Sequence, residues 1–290
     1  MRISPDSPLA QSPYLIAVSV DAGSAAEGFI HIASPVTEEV LRAEFGSRIE
    51  ASRRIEWDRS GNRIRGFLEE RIGALLLASE QFSPDDDEAF PLLCEAVRTS
   101  PGMLTLGPEE KQFLGRLRAV RSAFPEEQWP DLSEQTLTLK PESWLRPWLG
   151  SIRSRRELEN IHLLAALKTL LSREQLRLLE ERTPAAVTVP SGSRIRIDYA
   201  DGDTPVLAVK LQELFGLAET PRIGGGRIVL LLHLLSPARR PVQITRDLRG
   251  FWSNGYPQVK KDLKGRYPRH PWPEDPWNAL PTKRTNPRNN

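Results

Sequence analysis

The sequence predicts an α+β protein in three parts: a partial β-barrel at residues 1–83, a helical middle layer at 84–183 and a C-terminal α+β domain at 184–290. Three observations support this prediction. Short runs rich in β-branched and aromatic residues fill the first part, and apolar residues recur at helical spacing through the second. The third part alternates strand-like runs with turns rich in Gly and Pro, and it ends in a basic helix.

The first part begins with two strands and one helix. Strands are predicted at 14–20 and 28–32, with a turn around Gly23 between them. A helix is predicted over 38–45, because Thr37 has the character of an N-cap and acidic residues follow it.

A hairpin is predicted next, since 55–57 and 63–65 flank the turn-forming run Asp58–Gly61. Residues 72–82 could add a further strand, although 68–77 fits a helix equally well. Several short strands interrupted by one helix favour an OB-like barrel, a fold that often binds single-stranded nucleic acid.

The middle region predicts helices without visible chemistry. The acidic run Asp85–Glu88 suits the start of a helix, and Pro108 suits the first turn of a second one. A third amphipathic helix is predicted across 158–171 from the spacing of its leucines.

The C-terminal region begins with a predicted hairpin, in which 187–189 and 194–197 flank a Pro-Ser-Gly-Ser turn. A helix is predicted over 204–215, with Thr and Pro at its start and Gly after its end. Gly224–Gly226 should form a tight turn before a buried strand that begins at Ile228.

The chain is then expected to turn at 237–241 and to return as a strand at 242–244. Thr245 is predicted to cap a helix that holds Leu248 and Trp252. A last helix with three lysines should end at Gly265, since cations favour the C-terminal end of a helix dipole.

The charge is distributed unevenly, although the formal net charge is only +2. Residues 239–290 hold 12 Lys and Arg against 4 Asp and Glu, whereas residues 1–186 hold 23 against 29. A basic C-terminal segment on an acidic body favours an anionic partner, most often nucleic acid. A solvated basic tail without a specific partner is the alternative.

Basic and aromatic residues near the C-terminus are the candidate nucleic-acid contacts. Arg194 and Arg196 lie two apart on one predicted strand, so both side chains emerge on the same face. Guanidinium groups there can bind phosphate, or they can form ordinary surface salt bridges. Tyr267 can stack on a base, whereas Trp272 is expected to fix the Pro-rich tail to the core. The candidates are Arg194, Arg196, Arg239, Arg240, Lys260, Lys261, Lys264, Arg266, Tyr267 and Arg269.

Other chemistry is not supported by the sequence. It contains no P-loop pattern, its 4 histidines have no metal-ligand spacing, and its single Cys94 is expected in the core. The longest apolar run, 228–235, is far shorter than the roughly 20 residues of a membrane helix. We therefore expect no catalytic residue, metal or cofactor in this chain, no membrane partner, and a cytoplasmic location.

The C-terminal sequence resembles the end of HrpB-type ATP-dependent RNA helicases of the DEAH-box class. The resemblance depends on PSGSRIRIDY at 190–199, LLSPARRPVQITRDLRGFW at 234–252 and KGRYPRHPWPEDP at 264–276. Before residue 183 it is weaker and depends on IEWD, WPDLS and WLRPWLG.

This resemblance implies the C-terminal accessory region of such a helicase, beginning inside the barrel and lacking the two motor domains. ATP and Mg²⁺ would belong to those absent motor domains, and the chain alone would be inactive as an ATPase. The expected partners are single-stranded RNA or another nucleic acid, held through backbone charge and stacking, and the motor domains of the same polypeptide. A docking module that braces the motor or recruits a protein without touching RNA is the alternative.

Overall fold

The computed structural model describes residues 2–21, 28–100, 102–148, 150 and 152–284. The chain divides into two compact units, the first formed by Met1–Leu93 with Arg153–Arg155 and the second by Cys94–Ile152 with Arg156–Asn290. The turn predicted around Gly23 lies outside the described residues. The predicted boundaries at residues 83 and 183 stay a prediction.

Strands dominate the first unit and the C-terminal half of the second. They are β1 (Tyr14–Asp21), β2 (Phe29–Val36), β3 (Ile49–Asp58), β4 (Arg63–Ile72), β5 (Leu75–Phe82), β6 (Ala186–Thr188), β7 (Arg194–Asp198), β8 (Val206–Lys210), β9 (Arg222–Ile223), β10 (Ile228–Val229), β11 (Leu231–Leu235) and β12 (Pro241–Thr245).

In the order of the chain, most helices come between the two groups of strands. They are α1 (Glu38–Phe45), α2 (Asp86–Thr99), α3 (Pro108–Ala123), α4 (Glu134–Leu139), α5 (Glu142–Leu145), α6 (Arg155–Glu159), α7 (Leu163–Thr169), α8 (Arg173–Arg182), α9 (Leu248–Gly250) and α10 (Tyr256–Lys264). Within the described residues, no helix combines the length and the apolar character that crossing a bilayer requires.

The first unit contains two antiparallel sheets. β1 pairs with β2, and β3, β4 and β5 pair in that order. The hairpin predicted around Asp58–Gly61 is confirmed, and residues 68–77 lie in β4 and β5 rather than in a helix. Helix α1 has the predicted bounds and follows the extended N-cap Thr37. Because the ladders of the described residues form two separate sheets, the partial OB-like barrel is not confirmed by them.

A buried carboxylate links two strands of the three-stranded sheet. Glu69 of β4 is only 4% exposed, and it accepts hydrogen bonds from Nη2 of Arg54 at 2.7 Å and Nε of Arg71 at 2.9 Å. These two guanidinium groups, Arg54 first, lower the pKa of Glu69. The cluster is a satisfied structural ion pair, and we assign it no chemistry.

The predicted starts of two helices are confirmed. Oδ1 of Asp85 accepts from the N–H of Glu88 at 2.8 Å, and the Glu88 carboxylate accepts from the N–H of Asp85 at 3.1 Å, which caps α2. Pro108 begins α3. The helix predicted across 158–171 is wrong in its continuity. It is divided into α6 and α7, because His162 adopts ψ 74° and interrupts the helical backbone.

The second unit contains a mixed five-stranded sheet in the order β12-β11-β8-β7-β6. Strand β8 runs parallel to β11, and the other neighbouring pairs are antiparallel. The helix predicted over 204–215 is wrong, since this segment is β8 followed by a 3₁₀ turn at Leu211–Glu213. Alternation decides the outcome: Leu207 and Val209 are buried in the sheet, while Ala208 between them is exposed.

An aromatic cluster forms the centre of the same unit. Phe215, Trp252 and Tyr256 are at most 2% exposed, and the ring centroid of Trp252 lies 5.9 Å from that of Phe215 and 5.5 Å from that of Tyr256. The helix before Trp252 is capped by Asp247 rather than by the predicted Thr245, because Oδ1 of Asp247 accepts from the N–H of Gly250 at 2.8 Å. A π-helical turn at 251–255 joins α9 to α10.

Candidate nucleic-acid interface

Strand register decides which basic side chains of the second unit share one end of the sheet. Ile197 of β7 is opposite Leu207 of the antiparallel β8. Arg194, at the start of β7, therefore lies at the end where β8 finishes with Lys210. Leu235, the last residue of β11, is opposite Lys210 in the parallel pair. Arg194, Lys210 and the turn after Leu235 consequently lie at the same end of the sheet.

That turn carries two exposed arginines. Arg239 adopts the left-handed region with φ 61°, and its N–H donates to O of Ser236 at 2.9 Å. The N–H of Arg240 donates to Oγ of Ser236 at 3.1 Å. These two hydrogen bonds fix the turn. The side chains of Arg239 and Arg240 are both exposed at the end of the sheet.

The C-terminal tail brings a further cation to this end. Nδ1 of His270 lies 2.7 Å from Oε1 of Gln212, and Nε2 of Gln212 donates to O of Arg284 at 3.3 Å. Burial lowers the pKa of His270, and the charges of Lys210 and Arg269 lower it further. Arg269 precedes His270 in the chain and Lys210 lies two residues before Gln212, so both cations are near the imidazole, beside the end of β8.

We call these five cations the sheet-end cluster: Arg194, Lys210, Arg239, Arg240 and Arg269. Lys210 is half-buried and the other four are exposed. Within the described part of the chain, none of the five forms an ion pair with a carboxylate. The Glu213 carboxylate lies at the same end, where it accepts from Oγ of Ser191 at 2.9 Å. Five cations without an ion-pair partner against this one carboxylate favour the binding of an anion there.

The remaining predicted cations have different surroundings. Arg196 lies on the same face of β7 as Arg194 and is exposed, while Ile197 between Arg196 and Asp198 is buried, as expected. Lys261 and Lys264 are exposed on α10, and Arg266 is exposed just after it. Among the described residues, these last three form no hydrogen bond or ion pair with the sheet-end cluster.

Lys260 and Tyr267 contribute to the attachment of the tail. Nζ of Lys260 donates to O of Pro273 at 3.2 Å and lies 2.5 Å from the Glu274 carboxylate, so its side chain is only 13% exposed. O of Tyr267 accepts from Nε1 of Trp272 at 2.9 Å, which closes a turn within the tail. The tail is also fixed at Pro273 by the hydroxyl of Tyr256, at 3.0 Å.

Sequence reasoning missed Lys210. It lies within the helix predicted over 204–215, and a helix there would not place its side chain next to Arg194. The run Val-Leu-Ala-Val-Lys carries the signal that identifies it, because β-branched residues in alternation favour a strand. With β8 in place, Lys210 is the cation at the centre of the cluster.

Metal and P-loop chemistry find no support in the described residues. They hold no group of three or more His, Cys, Asp or Glu placed to bind a metal ion. Cys94 is buried, as predicted, and burial raises the pKa of its thiol. Gly224–Gly226 form the predicted tight turn, with φ of 59°, 62° and 86°.

Comparison with known proteins identifies the family. Residues 144–276 match the family model described as ATP-dependent helicase C-terminal, of the HrpB type. This region is similar to the C-terminal region of HrpB-type helicases. The chain is 37% identical over 280 residues to the ATP-dependent RNA helicase HrpB of Escherichia coli (strain K12), and the match covers 96% of this chain and 35% of that protein. The resemblance inferred from the sequence is thereby confirmed.

Solved structures show the same similarity to HrpB. The crystal structure of the E. coli DExH-box NTPase HrpB matches with a TM-score of 0.65 and 36% identity over 97% of this chain. The crystal structure of the E. coli DEAH/RHA helicase HrpB matches with a TM-score of 0.56 and 33% identity over 93% of this chain. The chain spans about a third of the length of these relatives, 35% and 34%.

Proposed function

We propose that this chain serves as the C-terminal accessory region of an ATP-dependent helicase, where it binds or guides single-stranded nucleic acid. One observation carries the proposal: the sheet-end cluster places five cations without carboxylate partners at one end of the sheet. Guanidinium and ammonium groups that neutralise phosphates release counterions, which supplies sequence-independent affinity. The proposed contacts are therefore with the backbone and not with base edges.

The family supports the same class of ligand. The E. coli relative is an ATP-dependent RNA helicase, so RNA is the polyanion that we propose for the cluster. Base stacking on Tyr267, a partial OB-like barrel in the first unit and a contact with motor domains of the same polypeptide belong to this proposal as well. In this proposal ATP and Mg²⁺ are bound by motor domains and not by residues of this chain.

A docking module that touches no RNA would not need unpaired cations at the sheet end. The cluster therefore favours RNA binding over this alternative. Reversal of charge separates the two functions, because it removes phosphate affinity without changing the apolar surface. Loss of RNA binding supports the first function, and unchanged RNA binding supports the second.

Deletion of the tail would be a poor test. Cutting the chain near residue 238 removes β12 and the buried side chains of Leu248, Trp252 and Tyr256, so the second unit would lose part of its core. Substitution at the surface avoids this problem, since exposed positions usually change stability by no more than about 0.5 kcal/mol.

The decisive variant is the double reversal Arg194→Glu and Arg240→Glu, because both side chains are exposed members of the sheet-end cluster. We expect it to weaken binding of a fluorescein-labelled 12-mer single-stranded RNA by at least about tenfold at 100 mM salt. The salt slope should fall by about 1.4, since each phosphate contact on a single strand contributes roughly 0.7. Fluorescence anisotropy between 50 and 200 mM salt measures both quantities.

The matched control is Lys140→Glu with Arg173→Glu. Both residues are exposed in the second unit and lie outside the sheet-end cluster, and the pair makes the same change in net charge. We expect the control to bind nearly as well as the unmodified chain. Equal losses in the two double variants would mean that net charge alone decides binding, and the proposal would then be wrong.

A further inference from the structure

The opposite end of the five-stranded sheet carries a second basic feature, which the sequence did not suggest. A groove with a volume of about 440 Å³ lies where β8 begins, against α3 and the β9–β10 hairpin. Its lining residues are Ala119, Ser122, Ala123, Asp203, Thr204, Pro205, Arg222, Arg227, Ile228, Val229 and Arg246. Two arginines of the β9–β10 hairpin, Arg222 and Arg227, and Arg246 after β12 therefore line one groove.

Two of these arginines have only neutral partners. Nη1 of Arg222 donates to O of Gly226 at 3.2 Å, and Nη2 of Arg246 donates to Oγ1 of Thr204. Among the described residues, neither guanidinium group forms an ion pair. Each guanidinium has five N–H donors, so several remain available after these single bonds are made.

The third arginine is held in place as one wall of the groove. Arg227 pairs with Glu126, and its guanidinium lies 4.6 Å from the centroid of the Phe124 ring. Arg182 lies 3.9 Å from the same centroid, so the ring stands between two cations. Arg227 therefore contributes positive potential, although its own charge is partly compensated.

The backbone that carries Arg246 is also fixed. Oγ1 of Thr220 donates to O of Arg246 at 2.8 Å and accepts from the N–H of Leu248 at 2.9 Å. With the side-chain bond to Thr204, Arg246 is anchored at both its backbone and its guanidinium. A donor that is already positioned loses less conformational freedom when it binds a ligand.

The acidic residue of the groove is turned toward another cation. Asp203 lies 3.6 Å from Nε of Arg118, and its side chain is 96% exposed. Asp203 therefore does not compensate Arg222 or Arg246 directly. The groove combines two available guanidinium groups with the hydroxyls of Ser122 and Thr204, which is the donor set that phosphate oxygens prefer.

We infer that this groove binds a phosphate group, with Arg222 and Arg246 as its principal donors. The phosphate can come from a free polyphosphate or from the backbone of a nucleic-acid strand, since both present the same oxygen atoms. The inference is separate from the proposed function, because the groove and the sheet-end cluster lie at opposite ends of the sheet.

Two probes distinguish the two sources. Isothermal titration of the full chain with inorganic pyrophosphate tests a free ligand, and anisotropy with the labelled 12-mer RNA tests a strand. The variant is Arg222→Gln with Arg246→Gln, which removes both charges at exposed positions. We expect it to lose about tenfold or more in affinity for whichever probe occupies the groove.

Arg249→Gln with Arg173→Gln is the matched control, because it also removes two exposed arginines of the second unit and retains Arg222 and Arg246. Arg249 is 69% exposed, is 3.5 Å from Glu219 and does not line the groove. Equal binding of both probes by the groove variant and the control would overturn the inference. Arg222→Lys is a further test. It keeps the positive charge but loses the planar guanidinium that can donate two hydrogen bonds to a phosphate, so we expect it to bind the probe more weakly than the unmodified chain.

The outcomes also separate this inference from the proposed function. Both the proposed function and the groove are supported if the sheet-end variant loses RNA binding but keeps pyrophosphate binding, and the groove variant loses pyrophosphate binding but keeps RNA binding. Loss of RNA only in the sheet-end variant, without pyrophosphate binding to any chain, supports the proposed function and overturns the groove. Thermal unfolding of every variant, followed by circular dichroism, verifies that the fold is retained.

Discussion

The two-stranded sheet of the first unit and the five-stranded sheet of the second contain similar residues but bury them differently. Leu207, Leu232 and Leu234 of the five-stranded sheet are all 0% exposed. In the two-stranded sheet, Ile16 is 48% exposed, Val18 69%, Val20 48%, Phe29 50% and Ile32 59%. Strand propensity alone therefore does not produce a core. A sheet contributes to a core only when a second layer covers its apolar face.

This difference assigns stability and binding to different regions. The second unit contains the aromatic cluster and both basic features, so its rigid sheet can hold cations at defined positions. The two-stranded sheet exposes apolar side chains and sheet edges, which favour association with another surface. The following predictions test this contrast, beginning with the largest effect.

Truncating the aromatic cluster should destabilise the chain far more than truncating the exposed sheet. We expect Trp252→Ala to lower the free energy of unfolding of the second unit by about 3–5 kcal/mol, because it opens a cavity among Phe215 and Tyr256. The indole also loses its hydrogen bond to O of Leu217, which is 2.8 Å long. Urea unfolding followed by tryptophan fluorescence and circular dichroism measures the change.

Phe29→Ala is the matched substitution in the two-stranded sheet. Half of the Phe29 side chain is exposed, so we expect a cost of about 1 kcal/mol or less. Similar losses in the two variants would contradict the contrast between the sheets, since they would mean that the two-stranded sheet has a covered face in solution.

Local signals in the sequence identified the elements whose ends are fixed by nearby residues. Helix α1 begins after Thr37 as predicted, although the Thr37 side chain makes no capping hydrogen bond. The glycine turn at 224–226 is present, because left-handed turns depend on a few adjacent residues. The helix predicted over 204–215 is wrong, because Thr-Pro resembles the start of a helix. Its parallel pairing with β11, which lies more than 20 residues away, decides the strand.

The same difference between local and long-range signals applies to the candidate basic residues. Arg194 and Arg240 could be named from composition, because exposed arginines in a basic segment are visible in the sequence. Their shared position at one end of the sheet could not be predicted from composition, since it follows from the order of β7, β8 and β11. The groove lined by Arg222 and Arg246 was missed for the same reason. Its residues come from four segments that only the fold brings together: α3, the start of β8, the β9–β10 hairpin and the residue after β12.

The exposed sheet should make the chain associate with itself. We expect Val18→Thr with Ile32→Thr to shift sedimentation velocity toward the monomer at about 50 μM, because threonine keeps the strand propensity while reducing the apolar surface. Leu280→Ser is the control, since Leu280 is 87% exposed but lies in the C-terminal tail. A monomer that sediments identically before and after the double substitution would show that the exposed sheet does not mediate association.

The smallest expected effect is a dependence of stability on pH that arises at His270. Burial, with the charges of Lys210 and Arg269, lowers the pKa of His270 in the folded chain from its ordinary value of 6.5. The unfolded chain therefore binds the proton more readily. The resulting stability is complete above about pH 6.5 and is lost as the pH falls through that value toward the folded pKa.

His270→Gln should reduce this loss, because glutamine has no proton to gain. We expect the unfolding midpoint of the unmodified chain to fall more than that of the variant between pH 7.5 and 5.5 in urea titrations. His162→Gln, at an exposed position of the same unit, should behave like the unmodified chain. Parallel curves for the unmodified chain and His270→Gln would mean that the tail does not hold the imidazole beside Lys210. The sheet-end cluster would then lack Arg269, and its phosphate contacts would have to come from Arg194, Lys210 and the β11–β12 turn alone.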